Sequence, residues 1–265
     1  MAGKKNKRPK FSSVKDRVYA PWKKANEGVD KVLLKFPPWI RPWIRDVVDV
    51  GSTVLVIIVV LKLLFGADML VPMVVVTSSS MTHNPGDMSW RVWLEKEGLN
   101  DNWIASFPIQ SGFNMGDMII VSSPKAGLGD IIIYERDLEH LKFSTHDPII
   151  HRVVGEAYVK EYKVVGYNGT LDCVDIKVLE SFVEKVKECQ GGSSACIYPR
   201  YPDGGDFKFY ITKGDNNVGS DQCNPRLDIA YPVTDAQVTG KALLRLPYFG
   251  WPKLILSIIW KIVTL

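Results

Sequence analysis

Between Val47 and Gly66 the chain reads VVDVGSTVLVIIVVLKLLFG, an apolar run broken only by Asp49 and Lys62. Wound as a helix, these 20 residues rise roughly 30 Å, the thickness of a bilayer core. The run predicts a transmembrane anchor, with a buried core helix as the alternative. Residues 1–45 carry 13 Lys/Arg against 3 Asp/Glu, a formal charge of +10, while the rest of the chain carries −6. The positive-inside rule then places residues 1–45 in the cytoplasm and the chain after residue 67 outside. A cleaved secretory signal is the rival reading, but a basic region this long and the poor small-residue site in ADMLVPMVVV speak against it. Asp49 and Lys62 lie near the ends of the run, where they can snorkel to the interfaces. Composition narrows the class further. With 265 residues, 46% of them hydrophobic and 23% charged, the chain is not disordered, collagen-like or a disulfide-dense mini-protein. A mean hydropathy near zero excludes a polytopic transporter.

Beyond the anchor the hydrophobic period becomes extended. Leu70–Val76, Met118–Val121, Ile131–Tyr134, Ile149–Val154, Tyr162–Val165, Phe207–Ile211 and Ala236–Leu244 are short, β-branched or aromatic, and bounded by turn residues, which predicts a mainly β exterior domain. Gly116-Asp117 and Gly129-Asp130 each open a strand, as a Gly-Asp turn supplying positive φ would. Met88–Asn100 shows helical spacing of Trp90, Trp93, Leu94 and Glu97, either an amphipathic helix packed on the domain or one dipping Trp rings into the outer interface. Residues 167–201 form a second insertion with the sequon Asn168-Gly169-Thr170 and a helical pattern over Val178–Cys189. Tyr248–Leu265 is again apolar and reads as a second transmembrane helix, or as one lying in the interface. The boundaries are a basic cytoplasmic tail (1–45), an anchor (46–66), an extracytoplasmic β-rich domain (67–247, insertions at about 88–113 and 167–201) and a C-terminal membrane helix (248–265).

Cys173, Cys189, Cys196 and Cys223 all fall in the exterior part, where disulfides form. Three pairings are open to four cysteines; the short flexible loop QGGSSA favours Cys189 with Cys196, leaving Cys173 with Cys223. No CxxC pair exists, and His146 and His151 are the only close histidines, so the spacing does not suit zinc.

Three polar clusters carry chemistry. Thr77-Ser78-Ser79-Ser80-Met81 follows a strand just beyond the anchor; His151 sits inside the apolar run IIHRVV; Lys213-Gly214-Asp215-Asn216-Asn217 is followed by Asp221. Each alone has a plain reading, as loop filler, a structural histidine and a polar turn. Together they supply a hydroxyl nucleophile, an imidazole base and a carboxylate to orient the base.

At these residues the chain resembles type I signal peptidase of the archaeal and endoplasmic-reticulum branch, which uses His where the bacterial branch uses Lys. Ser79-Ser80-Met81 is similar to the family's nucleophile box, the two Gly-Asp strands to its conserved β boxes, His151-Arg152 to its base box, and Lys213–Asn217 with Asp221 to its acidic box. Leu246–Pro252 looks like the lead into a C-terminal membrane helix. The resemblance covers residues 47–265 and implies Ser80 as nucleophile, His151 as general base, Asp221 as the residue orienting His151 and Asp215 as a supporting acid. It further implies that Ser78 assists the Ser80 backbone N–H in binding the oxyanion, and that Val76 and Ile150 line the small apolar substrate pockets. Met81 lacks the family's proline two residues on, and the Trp-rich insertion separates Ser80 from Gly116.

The expected function is a membrane-anchored serine endopeptidase removing signal peptides from exported preproteins at the outer face of the cell membrane, or alternatively of the endoplasmic-reticulum membrane. The implied partners are preprotein signal peptides, the lipid bilayer and the protein-translocation channel; no metal or nucleotide cofactor is implied. The alternative from another class is a catalytically inactive membrane-bound β domain that binds peptides as a structural subunit. A nucleic-acid binder using the basic tail lacks interleaved aromatics and a basic exterior domain.

Overall fold

The computed structural model describes residues 27–66, 69, 71–83, 89–142, 147–223 and 229–264. The basic tail up to residue 26, Met88 at the start of the expected Trp-rich helix, His146 and Leu265 lie outside them. The chain divides into two units, residues 1–59 and 60–265.

In the first unit, residues 27–33 are helical. Arg41 donates from Nε to the Phe36 carbonyl at 2.7 Å, and Arg45 pairs with Asp30. Helix α1 (Arg41–Phe65) contains 25 residues and buries none of them. It begins earlier than the apolar run because Arg41 and Arg45 are good helix formers that extend it on the polar side. Among the described residues it is the one helix long and apolar enough to cross a membrane.

In the second unit, eight antiparallel strands make one sheet: β1 (Met73–Val75), β2 (Met118–Ser122), β3 (Ile131–Tyr134), β4 (Ile149–Lys160), β5 (Lys163–Gly169), β6 (Phe207–Lys213), β7 (Val233–Thr234) and β8 (Val238–Leu246). Their order is β1-β2-β8-β3-β4-β6-β7, with β5 also on β4. The mainly β reading therefore holds. The expected strands differ in extent: β4 continues to Lys160 through Gly155 and Glu156, which break the apolar pattern. Gly155 is tolerated because a Cβ there would strike the Thr170 carbonyl. The segment expected to open the last strand at Ala236 is instead a 3-10 turn, Asp235–Gln237. The two Gly-Asp turns are as expected from sequence: Gly116 and Gly129 have φ of 88° and 86°, a region open to glycine.

Helix α2 (Ser89–Lys96) buries Trp90 and Leu94, and α3 (Asp101–Ser106), capped by the Asn100 side chain, buries Ile104. The short helix α4 (Leu138–Leu141) follows β3. Helix α5 (Ile176–Gln190) starts at an Asp175 cap and buries Leu179, Val183, Val186 and Cys189. Helices α2, α3 and α5 share one apolar core with Val154, Ala157, Phe209 and Ile211 of the sheet. Trp90 is thus a packing residue, not an interfacial anchor, since its ring is taken up inside the fold. The cysteines pair as Cys173–Cys223 and Cys189–Cys196. Asn168 is exposed and donates to the Tyr158 hydroxyl at 2.8 Å.

Helix α6 (Trp251–Thr264) has 14 residues, a rise of about 21 Å. It is shorter than the apolar run promises because β8 runs to Leu246 and the turn after it is held by the Gly250 N–H on the Gly116 carbonyl at 2.9 Å.

Candidate active site

Ser80 lies in a turn beyond the edge strand β1. The Thr82 N–H closes the turn on the Ser79 carbonyl at 3.0 Å, and the Met81 carbonyl accepts from the Phe113 N–H at 2.8 Å. The Met81 side chain, 1% exposed, plugs the turn into the core. From the other side the Asn216 N–H donates to the Ser80 carbonyl at 2.8 Å, and the Asn216 Nδ2 donates to the Ser79 carbonyl at 3.1 Å. Ser78 Oγ stands 3.2 Å from Ser80 Oγ.

His151 is the third residue of β4, in register with Ile132 of β3. Its Nε2 is 2.9 Å from Ser80 Oγ and its Nδ1 is 2.7 Å from Asp221 Oδ2. With Nδ1 donating its proton to the carboxylate, Nε2 is the lone-pair nitrogen facing the serine hydroxyl. Asp221 is fully buried. Its Oδ2 also accepts from the Tyr134 hydroxyl at 2.9 Å and from Thr212 Oγ1 at 2.6 Å. Burial, and then the Asp221 charge, push the Tyr134 phenol well above its ordinary pKa, so it remains a donor. Asp221 itself is fixed by its N–H on the Thr212 carbonyl at 2.7 Å.

Asp215 faces elsewhere. It is held by Arg152 in a two-pronged pair, Nε to Oδ1 at 2.9 Å and Nη2 to Oδ2 at 2.8 Å, and by His83 Nε2 at 2.9 Å. Burial opposes its charge, but the Arg152 guanidinium and the His83 hydrogen bond outweigh it and lower its pKa to about 2. Arg152 is fully buried and donates to the carbonyls of Pro108, Gly129 and Ile109. The Trp90 ring stacks on His83 at 5.1 Å and lies 5.1 Å from the Arg152 guanidinium. Lys213 donates from Nζ to the carbonyls of Gly214 and Asp215 at 3.0 and 3.2 Å; burial depresses its pKa to about 8 against the pull of Asp215 and Asp221.

Gly214 sits where these pieces meet. A Cβ there would lie 2.8 Å from both His151 Nε2 and the Ser80 carbonyl oxygen, so a side chain would displace His151 or the Ser80 turn.

The chain matches no family model and no curated protein.

Ser80 and His151 open onto a cleft of about 830 Å³. One wall is Met73–Ser78, the other Asp147–Ile150, and Val76 and Ile150 stand in the two walls. Among the described residues both walls have a free strand edge. β1 is the first strand of the sheet. On β4 the partner β6 begins only at Arg152, so Ile149–His151 pair with β3 on one side alone. The structure brings together Ser78, Ser80, His151, Asp221, Val76 and Ile150, and sets Asp215 behind them on Arg152. Sequence reading missed Tyr134 and His83 as parts of the site, and gave Thr212 and Gly214, which lie in the third polar cluster, no role of their own. Tyr134 stands 87 residues from Asp221 and carries no local signal.

Proposed function

We propose that this chain is a membrane-anchored serine endopeptidase of the type I signal peptidase kind, cleaving signal peptides from exported preproteins. The observation that carries the reading is the Ser80–His151–Asp221 hydrogen-bonded line at the floor of a cleft whose two walls are unpaired strand edges. An extended peptide laid in that cleft finds main-chain partners on either side, with Val76 and Ile150 against its small apolar side chains.

Ser80 Oγ attacks the scissile carbonyl carbon while its proton passes to His151 Nε2. Asp221 stabilises the imidazolium that forms, and the Ser80 N–H and Ser78 hydroxyl donate to the oxyanion. Collapse breaks the C–N bond as His151 returns the proton to the leaving amine. Water, deprotonated by His151, then releases the acyl group and restores Ser80.

Helix α1 supports anchoring, and the basic tail before it supports a cytoplasmic N-terminus with the β-rich unit outside. Tethering next to the membrane restricts the search for a cleavage site at the membrane surface. Ile255, Leu256, Ile258, Ile259 and Ile262 are exposed on α6, an apolar surface suited to contact with the membrane.

The test is cleavage of a preprotein by the purified full chain in detergent. The native chain should cleave at one site and Ser80→Ala should not, with the fold of both checked by circular dichroism. Equal cleavage by the two proteins would sink the protease reading; cleavage by neither, with peptide still bound, would favour the silent binding domain.

A further inference from the structure

At the end of the cleft away from Ser80, Arg136 faces the same space as Asp147, Pro148 and Ile149. Its Nε is buried and has no hydrogen-bond partner among the described residues. A buried donor left unpaired is costly, and the side chain that carries it lines the space that the proposed substrate would fill. In the β3–β4 register His151 pairs with Ile132 and Ile149 with Tyr134, so Arg136 stands about four residues along from the base, roughly 13 Å at strand rise. Asp137 follows it in sequence and Asp147 shares its wall. The Asp137 carboxylate is taken by His140 and by the Tyr231 N–H, so it does not serve as the acceptor that the Arg136 Nε lacks.

Resting on the peptidase reading above, we infer that Arg136 is a substrate-binding residue whose guanidinium donates to a main-chain carbonyl of the bound peptide about four residues from the scissile bond. The contact selects for an extended peptide of sufficient length and is indifferent to the side chain at that position. It also separates two demands on the substrate: small apolar residues near the cut, where Val76 and Ile150 stand, and extended backbone farther away.

The experiment measures binding of fluorescent signal-peptide segments to the full-length Ser80→Ala chain in detergent micelles. One series is shortened residue by residue from the N-terminal end and one from the C-terminal end. The expected result is a loss of affinity of about tenfold, equivalent to one good hydrogen bond to a charged donor, when the residue opposite Arg136 is removed from one end. In Ser80→Ala/Arg136→Leu the long peptides should bind about as weakly as the shortened ones, while the shortened ones are unaffected. Arg136→Lys, which keeps a donor, should recover part of the loss and guards against a folding defect. An equal effect of Arg136→Leu on long and short peptides would overturn the inference, as would the absence of any length step. So would a preference for Asp at that position that disappears in Arg136→Leu, which would identify a carboxylate subsite instead. Failure of the peptidase reading itself is read separately, as absence of cleavage by the chain with Ser80 intact.

Discussion

Asp221 and Asp215 are only six residues apart and both are buried, yet they sit in opposite kinds of pocket. Around Asp221 the donors are His151 and two neutral hydroxyls, those of Tyr134 and Thr212. Around Asp215 they are Arg152, permanently charged, and His83. A carboxylate with no fixed cation hydrogen-bonded to it is available to a cation that comes and goes, which on the peptidase reading is the imidazolium of the cycle. One already neutralised by a guanidinium has nothing to give such a cycle and serves to hold structure. Two identical side chains thus divide between chemistry and architecture according to their donors.

The widest separation between the two should come from Asp221→Asn. The fold is expected to survive, because an amide keeps most of the hydrogen bonds. Cleavage should drop about ten-thousandfold, as the amide stabilises the imidazolium poorly and favours the wrong tautomer. Single-turnover kinetics on a signal-peptide substrate would measure it, and a loss below tenfold would erase the distinction between the pockets.

Asp215→Asn should act on stability first, costing about 3–5 kcal/mol because Arg152 is left buried without its counter-ion, as read by urea unfolding. The depressed pKa of Asp215 gives a further check. Its contribution is complete above the unfolded carboxylate value near 4 and is lost as the pH falls toward about 2, since the unfolded chain takes up the proton first. That part of the acid limb should be missing in Asp215→Asn.

A smaller effect is expected at the hydroxyls on Asp221. Tyr134→Phe removes one donor and should slow cleavage by about fivefold, about 1 kcal/mol, with the KM little changed. The last effect, seen only as a pH dependence, concerns Lys213. Because burial lowers its pKa to about 8, the unfolded chain holds more protons above that pH. Stability should therefore rise between pH 8 and 10, by at most about 1 kcal/mol per pH unit. Lys213→Met should flatten that rise; an unchanged slope would place the titration elsewhere.

What the sequence could reveal of this arrangement follows from the range of its signals. The Gly-Asp turns, the amphipathic spacing around Trp90 and Leu94, and the periodicity of α5 are local patterns set by backbone geometry and burial, and they are readable from a few residues. The clusters that hold Ser80, His151 and Asp221 were legible for the same reason, as polar residues set against apolar strands, but the choice of these residues within them rested on the resemblance to type I signal peptidase. Partners across the sheet were not. Tyr134 looks like one more strand aromatic, and only the β3–β4 pairing and the return of the chain after β6 bring it under Asp221. Arg152 was visible beside His151, but its task of tying Asp215 to the 107–109 loop depends on contacts far apart in sequence. Helix α3 went unread because six residues are too few for a period to show, although Asn100-Asp101 is a sound capping start.

The two hydrogen bonds from Asn216 to the nucleophile turn have a mechanical consequence. They fasten segments 137 residues apart in sequence, one carrying the Ser80 hydroxyl and the other the strand end that leads to Asp221. Surface loops usually fluctuate independently, so their displacements combine as uncorrelated errors in the distance between them. Joined carbonyl to amide, these two segments drift as one body, and the gap between them varies less than the position of either. A catalytic spacing can in this way stay accurate on a part of the protein that is itself not still.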